Sequence, residues 1–74
     1  MNQEHLFLVD FGRLLRERAF EAKREALEHS ESDFYKGRLL AFNEVVSMLQ
    51  QQVEAFQLTG DFGLADLDPD RDLV

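Results

Sequence analysis

The fold of this chain is decided by residues 34–56, which read FYKGRLLAFNEVVSMLQQQVEAF. One apolar row steps by four and three residues, the 3.5-residue repeat of a coiled-coil seam. It consists of Tyr35, Leu39, Phe42, Val46, Leu49, Val53 and Phe56. A second row beside it consists of Phe34, Ala41, Val45, Met48 and Ala55. Together they cover more of the helix than the stripe of about 100° that one helical neighbour buries.

The segments around this stretch predict two long helices, over residues 4–28 and 31–58. Residues 3–58 contain no proline and only two glycines, which suits long helices. The polar run between Glu28 and Asp33 separates them, with Ser30 in a helix-capping position, and Gly60 fits a helix stop. We therefore expect an all-α fold, built as an antiparallel two-helix hairpin. One continuous helix through both segments, pairing as a long coiled coil, is the alternative.

The first helix supplies the surface that closes the hairpin. Small residues recur in it every seven positions, at Gly12, Ala19 and Ala26, and they allow two helix backbones to approach closely. With Ser30 at the centre of the turn, an antiparallel register places residue 15 opposite residue 45. The predicted hairpin core consists of Phe11, Leu15, Ala19, Ala26, Phe34, Ala41, Val45 and Met48.

The remaining apolar row predicts self-association. A chain of 74 residues is marginally stable on its own, and this one has no cysteine for a disulfide. Burying each large apolar side chain contributes about 1.5–3 kcal/mol. We expect a homodimer in which two hairpins form a four-helix bundle. The residues expected at that interface are Tyr35, Leu39, Phe42, Val46, Leu49, Val53 and Phe56.

Charge divides the chain into residues 1–60, the hairpin, and residues 61–74, an acidic tail. The net charge is −7, which disfavours binding to nucleic acid and to membrane surfaces. The composition of the tail predicts flexibility. Phe62, Leu64 and Leu67 interleave with acids there, so the alternative is a motif that folds onto an apolar groove of a partner or of the bundle itself. Without an apolar run of membrane-spanning length or a signal peptide, we expect a cytoplasmic protein.

The residues that carry chemistry are few. Glu25 and His29 lie four residues apart on one helix face, but the Glu-x-x-His spacing of di-iron bundles is not present and is not repeated in the second helix. No thiol and no glycine-rich phosphate loop is present in the sequence. We therefore expect no catalytic site, no cofactor and no metal.

The segment 34–45 has the pattern aromatic–x–x–Gly-Arg–x–x–Ala–x–x–Glu, as in Phe34, Gly37, Arg38, Ala41 and Glu44. It resembles segments of short uncharacterised bacterial and phage helical proteins. The resemblance implies no activity.

Size, acidity and the surplus apolar surface together predict a non-enzymatic accessory or regulatory protein that binds other proteins as a helical homo-oligomer. The alternatives are a small metal- or ligand-binding helical bundle and an acidic mimic of nucleic acid.

Overall fold

Two long helices and one short helix make up the described part of the fold. The computed structural model describes residues 2–58, 62–64 and 66–74. Helix α1 spans Gln3–Glu28, α2 spans Asp33–Ala55 and α3 spans Pro69–Asp72. Helices α1 and α2 pack together as a hairpin, which confirms the all-α class and excludes one continuous helix through residues 29–32. The chain measures 44 × 20 × 17 Å. Within the described residues, no helix is long and apolar enough to cross a membrane.

Side-chain caps fix where the helices begin. The Asn2 side chain accepts a hydrogen bond of 2.7 Å from the His5 backbone N–H. The Ser32 hydroxyl accepts one of 3.4 Å from the Tyr35 N–H, so α2 begins at Asp33, two residues later than predicted. The predicted cap, Ser30, lies in the turn. Each residue turns a helix by about 100°. An error of one or two residues in the predicted turn therefore changes which side of α2 is expected to face α1.

Helix α2 ends three residues earlier than predicted, at Ala55. Gln57 has a φ of 52°, in the left-handed region, which interrupts the helical path directly after the cap residue Phe56. The expected stop at Gly60 and the expected boundary between hairpin and tail both lie outside the described residues.

The core of the hairpin is built on the regular apolar row of α2. Leu39 and Val46 are buried, and Val46 is 0% exposed. Tyr35, Phe42 and Leu49 are partly buried against the same core. From α1 the buried residues are Gly12, Leu15, Ala19, Ala22 and Ala26. Five of the seven residues that we assigned to a second chain therefore contribute to the core of one chain.

The structure also corrects part of the predicted hairpin core. Phe11, Phe34, Ala41, Val45 and Met48 are exposed, with Phe34 at 71% and Met48 at 58%. The buried row carries larger side chains than the row that contains Ala41 and Ala55, so it removes more apolar area from water. The α2 row predicted for the hairpin core is therefore the exposed one, and the row predicted for self-association is mostly buried.

The C-terminal segment packs against the hairpin, which corrects the prediction of a flexible tail. Its buried residues are Phe62, Leu64, Leu67, Pro69 and Leu73. Leu73 is only 1% exposed and joins the same core as Leu39 and Val46. The groove that receives the apolar residues of the tail therefore belongs to the hairpin itself. The tail therefore acts as a third structural element, which covers apolar surface that two helices alone would leave exposed.

Gly12 allows the tail to cross α1 at close range. A Cβ atom placed on Gly12 would lie 1.9 Å from the carbonyl oxygen of Phe62, well inside van der Waals contact. The next residue of the tail, Gly63, has a φ of 79°, a conformation that glycine adopts without strain. Gly12 on α1 and Gly63 on the tail therefore together permit this close approach of the two backbones.

Two side-chain amides of α2 hold the backbone of the tail. The buried Asn43 amide donates hydrogen bonds to the Pro69 carbonyl at 2.7 Å and to the Leu73 carbonyl at 3.3 Å. The Gln50 amide donates to the carbonyls of Leu64 at 2.9 Å and Leu67 at 2.7 Å. These bonds satisfy carbonyl groups that packing onto the hairpin removes from water.

Replacing Asn43 with alanine is expected to lower the free energy of unfolding by about 1–3 kcal/mol, because the Leu73 carbonyl loses its donor in a buried place and the Pro69 carbonyl keeps only the Leu73 N–H. Urea denaturation followed by circular dichroism measures the change. Gln51→Ala is the control, since Gln51 is an exposed neighbour on the same helix, and it should change stability by less than about 0.5 kcal/mol. Equal effects of the two changes would contradict a structural role for the Asn43 amide.

Candidate protein-binding surface

The side of α2 that faces away from α1 presents an exposed row of apolar and small residues, which we name the outer α2 face. Its members recur every three or four residues, so they lie along one side of the helix. They are Phe34, Gly37, Ala41, Val45, Met48, Gln52 and Ala55, and all seven are exposed. None of them carries a charge. An exposed apolar row of this kind is a candidate site of protein interaction.

The two long helices differ sharply in charge. Eleven of the 26 residues of α1 are Asp, Glu, Lys or Arg, compared with five of the 23 residues of α2. The exposed side of α1 carries ion pairs, with Arg13 at 2.9 Å from both Asp10 and Glu17. These pairs raise the pKa of Arg13 above its usual value, chiefly through the hydrogen bond to Asp10. The charged outer side of α1 is therefore well solvated by water. Covering the outer α2 face would instead remove apolar area from water.

Gly37 makes a notch in the outer α2 face. Beyond its own turn of helix, a Cβ atom added to Gly37 would meet no atom of the described residues within 4 Å, so none of them requires glycine there. A glycine inside a helix costs about 1 kcal/mol relative to alanine. Ala41 lies one turn further along, so the helix backbone is accessible over this part of the face.

A second exposed apolar surface lies on α1, and we name it the α1 edge. It consists of Phe7, Phe11 and Leu14, which are all exposed. The rings of Phe7 and Phe11 are stacked with centroids 6.0 Å apart. The tail crosses a different part of α1, over Gly12, and leaves this edge uncovered.

Of the residues predicted for self-association, Phe56 is the one that remains widely open to solvent, at 72% exposure. Val53 is half-buried. The other five contribute to the core of the chain, as described above. The second apolar row of α2, rather than the first, is therefore the surface that a partner can reach.

The turn brings together the residues that were considered for a metal. Glu25 accepts a hydrogen bond from Arg38, and the two form a half-buried ion pair across the hairpin. The His29 ring stacks on Tyr35 with centroids 4.5 Å apart. In the part of the chain that the structure describes, no group of three or more His, Asp or Glu side chains is placed to bind a metal ion. Glu25 and His29 are thus engaged in contacts that tie α1 to α2.

A cleft of about 470 Å³ lies between the end of α2 and the start of the tail. The residues around it include Val53, Leu58 and Leu64, with Gln50 and Glu54 as polar neighbours. The Gln50 amide already binds two carbonyls of the tail. The described lining offers one carboxylate and no second acid or base, so it resembles a binding surface more than a reactive site.

Charged contacts anchor the tail on α1. Arg16 donates to the carbonyl of Gly63 at 3.0 Å and lies 2.8 Å from a carboxylate oxygen of Asp66. The hydrogen bond from Arg16 lowers the pKa of Asp66 below its usual value of 3.8. Within the tail, the hydrogen bond from Arg71, helped by the Asp68 backbone N–H, lowers the pKa of Asp72 to about 2. Lys23 donates to the carbonyl of Val74.

The contacts of the tail are expected to weaken as the pH falls below 3.8. Protonation of Asp66 removes its ion pair with Arg16 of α1. Protonation of Asp72, whose pKa is about 2, loosens the tail itself, because its partners Arg71 and the Asp68 N–H both lie there. A carboxyl whose pKa is lowered by folding stabilises the folded state above its unfolded pKa, and that contribution is lost as the pH falls through the folded pKa. Amide chemical shifts of residues 66–74 measure the change. Asp66→Asn should remove the part that depends on Arg16. Shifts that do not change between pH 5 and pH 2 would contradict this role of the carboxylates.

Comparison of the chain with protein-family models, with curated protein sequences and with solved structures finds no match.

Sequence reasoning did not single out the contacts made by Gly12, Asn43 and Gln50. Asn43 is a polar residue in an otherwise apolar stretch, LLAFNEVV, one position away from Phe42 of the core row. That placement is the available signal, because a polar side chain beside a core row needs a hydrogen-bond partner once it is buried. The partners are carbonyls of the tail, which sequence alone does not place.

Proposed function

We propose that this chain is a small non-enzymatic accessory or regulatory protein that acts by binding protein, as a helical homo-oligomer. The observation that carries the proposal is the apolar surface that stays exposed after the tail has packed, on the outer α2 face and on the α1 edge. A homodimer containing four long helices, two from each chain, is the assembly that we propose. Covering these surfaces would add apolar burial to a chain whose own core is small.

The α1 edge is the surface that we assign to a partner protein. Its two stacked phenylalanines form a compact aromatic group, and aromatic residues are enriched at the centres of protein interfaces. It is also separate from the outer α2 face, so a partner could occupy it while the outer α2 face contacts another chain.

A pull-down with matched variants tests this assignment. The immobilised wild-type chain is compared with the double variant Phe7→Ser/Phe11→Ser, and Leu6→Ser serves as the control because Leu6 is an exposed apolar residue outside the edge. We expect wild type and the control to retain the same protein, and the double variant to lose it. Retention should survive washing at high salt, because an apolar contact is not screened.

The salt dependence of retention, together with metal analysis of the purified protein, separates the alternatives. Equal retention by all three chains would contradict the assignment of the α1 edge. Retention of a basic protein that is lost at high salt would favour the nucleic-acid mimic. Stoichiometric metal in the purified protein would favour the metal-binding bundle.

A further inference from the structure

The exposed area of the chain is larger than the average for a folded monomer of its mass. A compact protein of 8.6 kDa is expected to expose about 4,700 Å². This chain exposes 5406 Å², which is about 700 Å² more than that scaling gives. A standard protein interface covers about 800 Å² on each partner. The excess is therefore close to the area that one stable interface would cover.

The charge distribution allows a second copy on the outer α2 face. Two chains that each carry a net charge of −7 repel one another, and the repulsion is smallest where their charge-poor surfaces meet. The outer α2 face has uncharged members only, with Glu44 at its border. Contact between two copies of the ion-paired outer side of α1 would instead require charged groups to be desolvated.

The order of small and large residues along the outer α2 face makes it complementary to itself. In an antiparallel pair about a two-fold axis, residues that face each other have numbers with a constant sum. A sum of 89 places Phe34 opposite Ala55 and Gly37 opposite Gln52. It also places Ala41 opposite Met48, and Val45 opposite Glu44, which lies at the border of the face. Each small residue then receives a larger one, and the notch at Gly37, which no described residue of its own chain fills, receives a side chain.

We infer that a second copy of this chain packs its α2 helix antiparallel against the outer α2 face, about a two-fold axis that passes between Glu44 and Val45. This inference rests on the proposed homo-oligomer and names its interface. The two α2 helices form the centre of the assembly and the two α1 helices lie outside them. The α1 edge of each copy remains free for a partner.

The absence of cysteine from the sequence permits a clean cross-linking test on the full chain. The variant Val45→Cys places two thiols beside the axis, so mild oxidation should convert most of it into a disulfide-linked dimer. Leu6→Cys is the control, an exposed position outside the face that should stay largely monomeric. If Val45→Cys cross-links no faster than Leu6→Cys, the interface is wrong.

A mixture of two single-cysteine chains tests the direction of packing. Phe34→Cys mixed with Ala55→Cys should give mainly the mixed dimer, which mass spectrometry distinguishes from the two homodimers. Self-linking of Phe34→Cys as the main product would show a parallel pair and overturn the antiparallel register.

Sedimentation equilibrium of the wild-type chain tests the association itself. We expect a monomer–dimer equilibrium that Met48→Glu weakens at least tenfold, while Leu27→Glu leaves it unchanged. Leu27 is the matched control, since it is an exposed leucine on α1. Circular dichroism of each variant reports whether the helices are intact. A wild-type chain that stays monomeric up to millimolar concentration would overturn both the interface and the homo-oligomer, whereas a dimer that Met48→Glu does not weaken would overturn the interface alone.

Discussion

Replacing Leu73 with alanine is expected to lower the free energy of unfolding by about 2–5 kcal/mol, the range for removing a large apolar side chain from a packed core. Leu73 is 1% exposed and belongs to the core that contains Leu39 and Val46. A domain of this size has a total stability of about 4–11 kcal/mol, so the loss is a large part of the whole. Thermal and urea unfolding followed by circular dichroism measure it.

Val74→Ala is the matched control for Leu73→Ala. Val74 follows Leu73 directly but is 63% exposed, and its replacement should change stability by less than about 0.5 kcal/mol. A tail that did not pack against the hairpin would make the two substitutions equally harmless. That result would contradict the position of the C-terminal segment in this fold.

Replacing Gly12 with alanine is expected to destabilise the protein by about 1–3 kcal/mol, even though alanine is the better helix former. The new Cβ atom would lie 1.9 Å from the Phe62 carbonyl oxygen, a backbone atom that moves only if the tail moves. Urea unfolding gives the change in stability, and the amide shifts of residues 62–64 and 66–74 report the displacement of the tail.

Replacing Gly37 with alanine is expected to have the opposite effect on stability to Gly12→Ala. Gly37 lies in α2 with open space around it, so alanine there should stabilise the dilute monomer by up to about 1 kcal/mol. Destabilisation at both positions would mean that the close contact at Gly12 is not what distinguishes them. The pair of variants therefore separates a steric effect of the tail from a general effect of helical glycine.

The recurrence of apolar residues every three or four positions, together with the scarcity of glycine and proline, was enough to predict two helices. Both signals are local, because helix formation depends on residues within a few turns. Helix α1 begins one residue before the predicted start and ends at the predicted Glu28. The break between the helices was also marked locally, by the polar run around Ser30 and Ser32. Its cap was assigned to the wrong serine, since both have the chemistry of a cap and tertiary packing selects between them.

Which of the two apolar rows of α2 faces α1 could not be read from the same pattern. The rows are adjacent, and a small error in the position of the turn changes the facing row. The choice depends on how much area each row buries, and also on the tail, whose Leu73 belongs to the same core as Val46. Most of the row that we assigned to a second chain consequently lies in the core, although the surplus of apolar residues on α2 was visible in the sequence.

The sequence by itself determined that this chain forms two amphipathic helices with more apolar surface than one hairpin seam can cover, because periodicity and composition are properties of local segments. Only the tertiary structure decided where that surplus goes. The tail covers one side of the hairpin through Phe62, Leu64, Leu67 and Leu73, and the outer α2 face stays exposed. The physical reason is that these contacts join residues far apart in the chain. A buried amide such as Asn43, or a close approach such as that at Gly12, acquires its meaning only when the distant segment is in place.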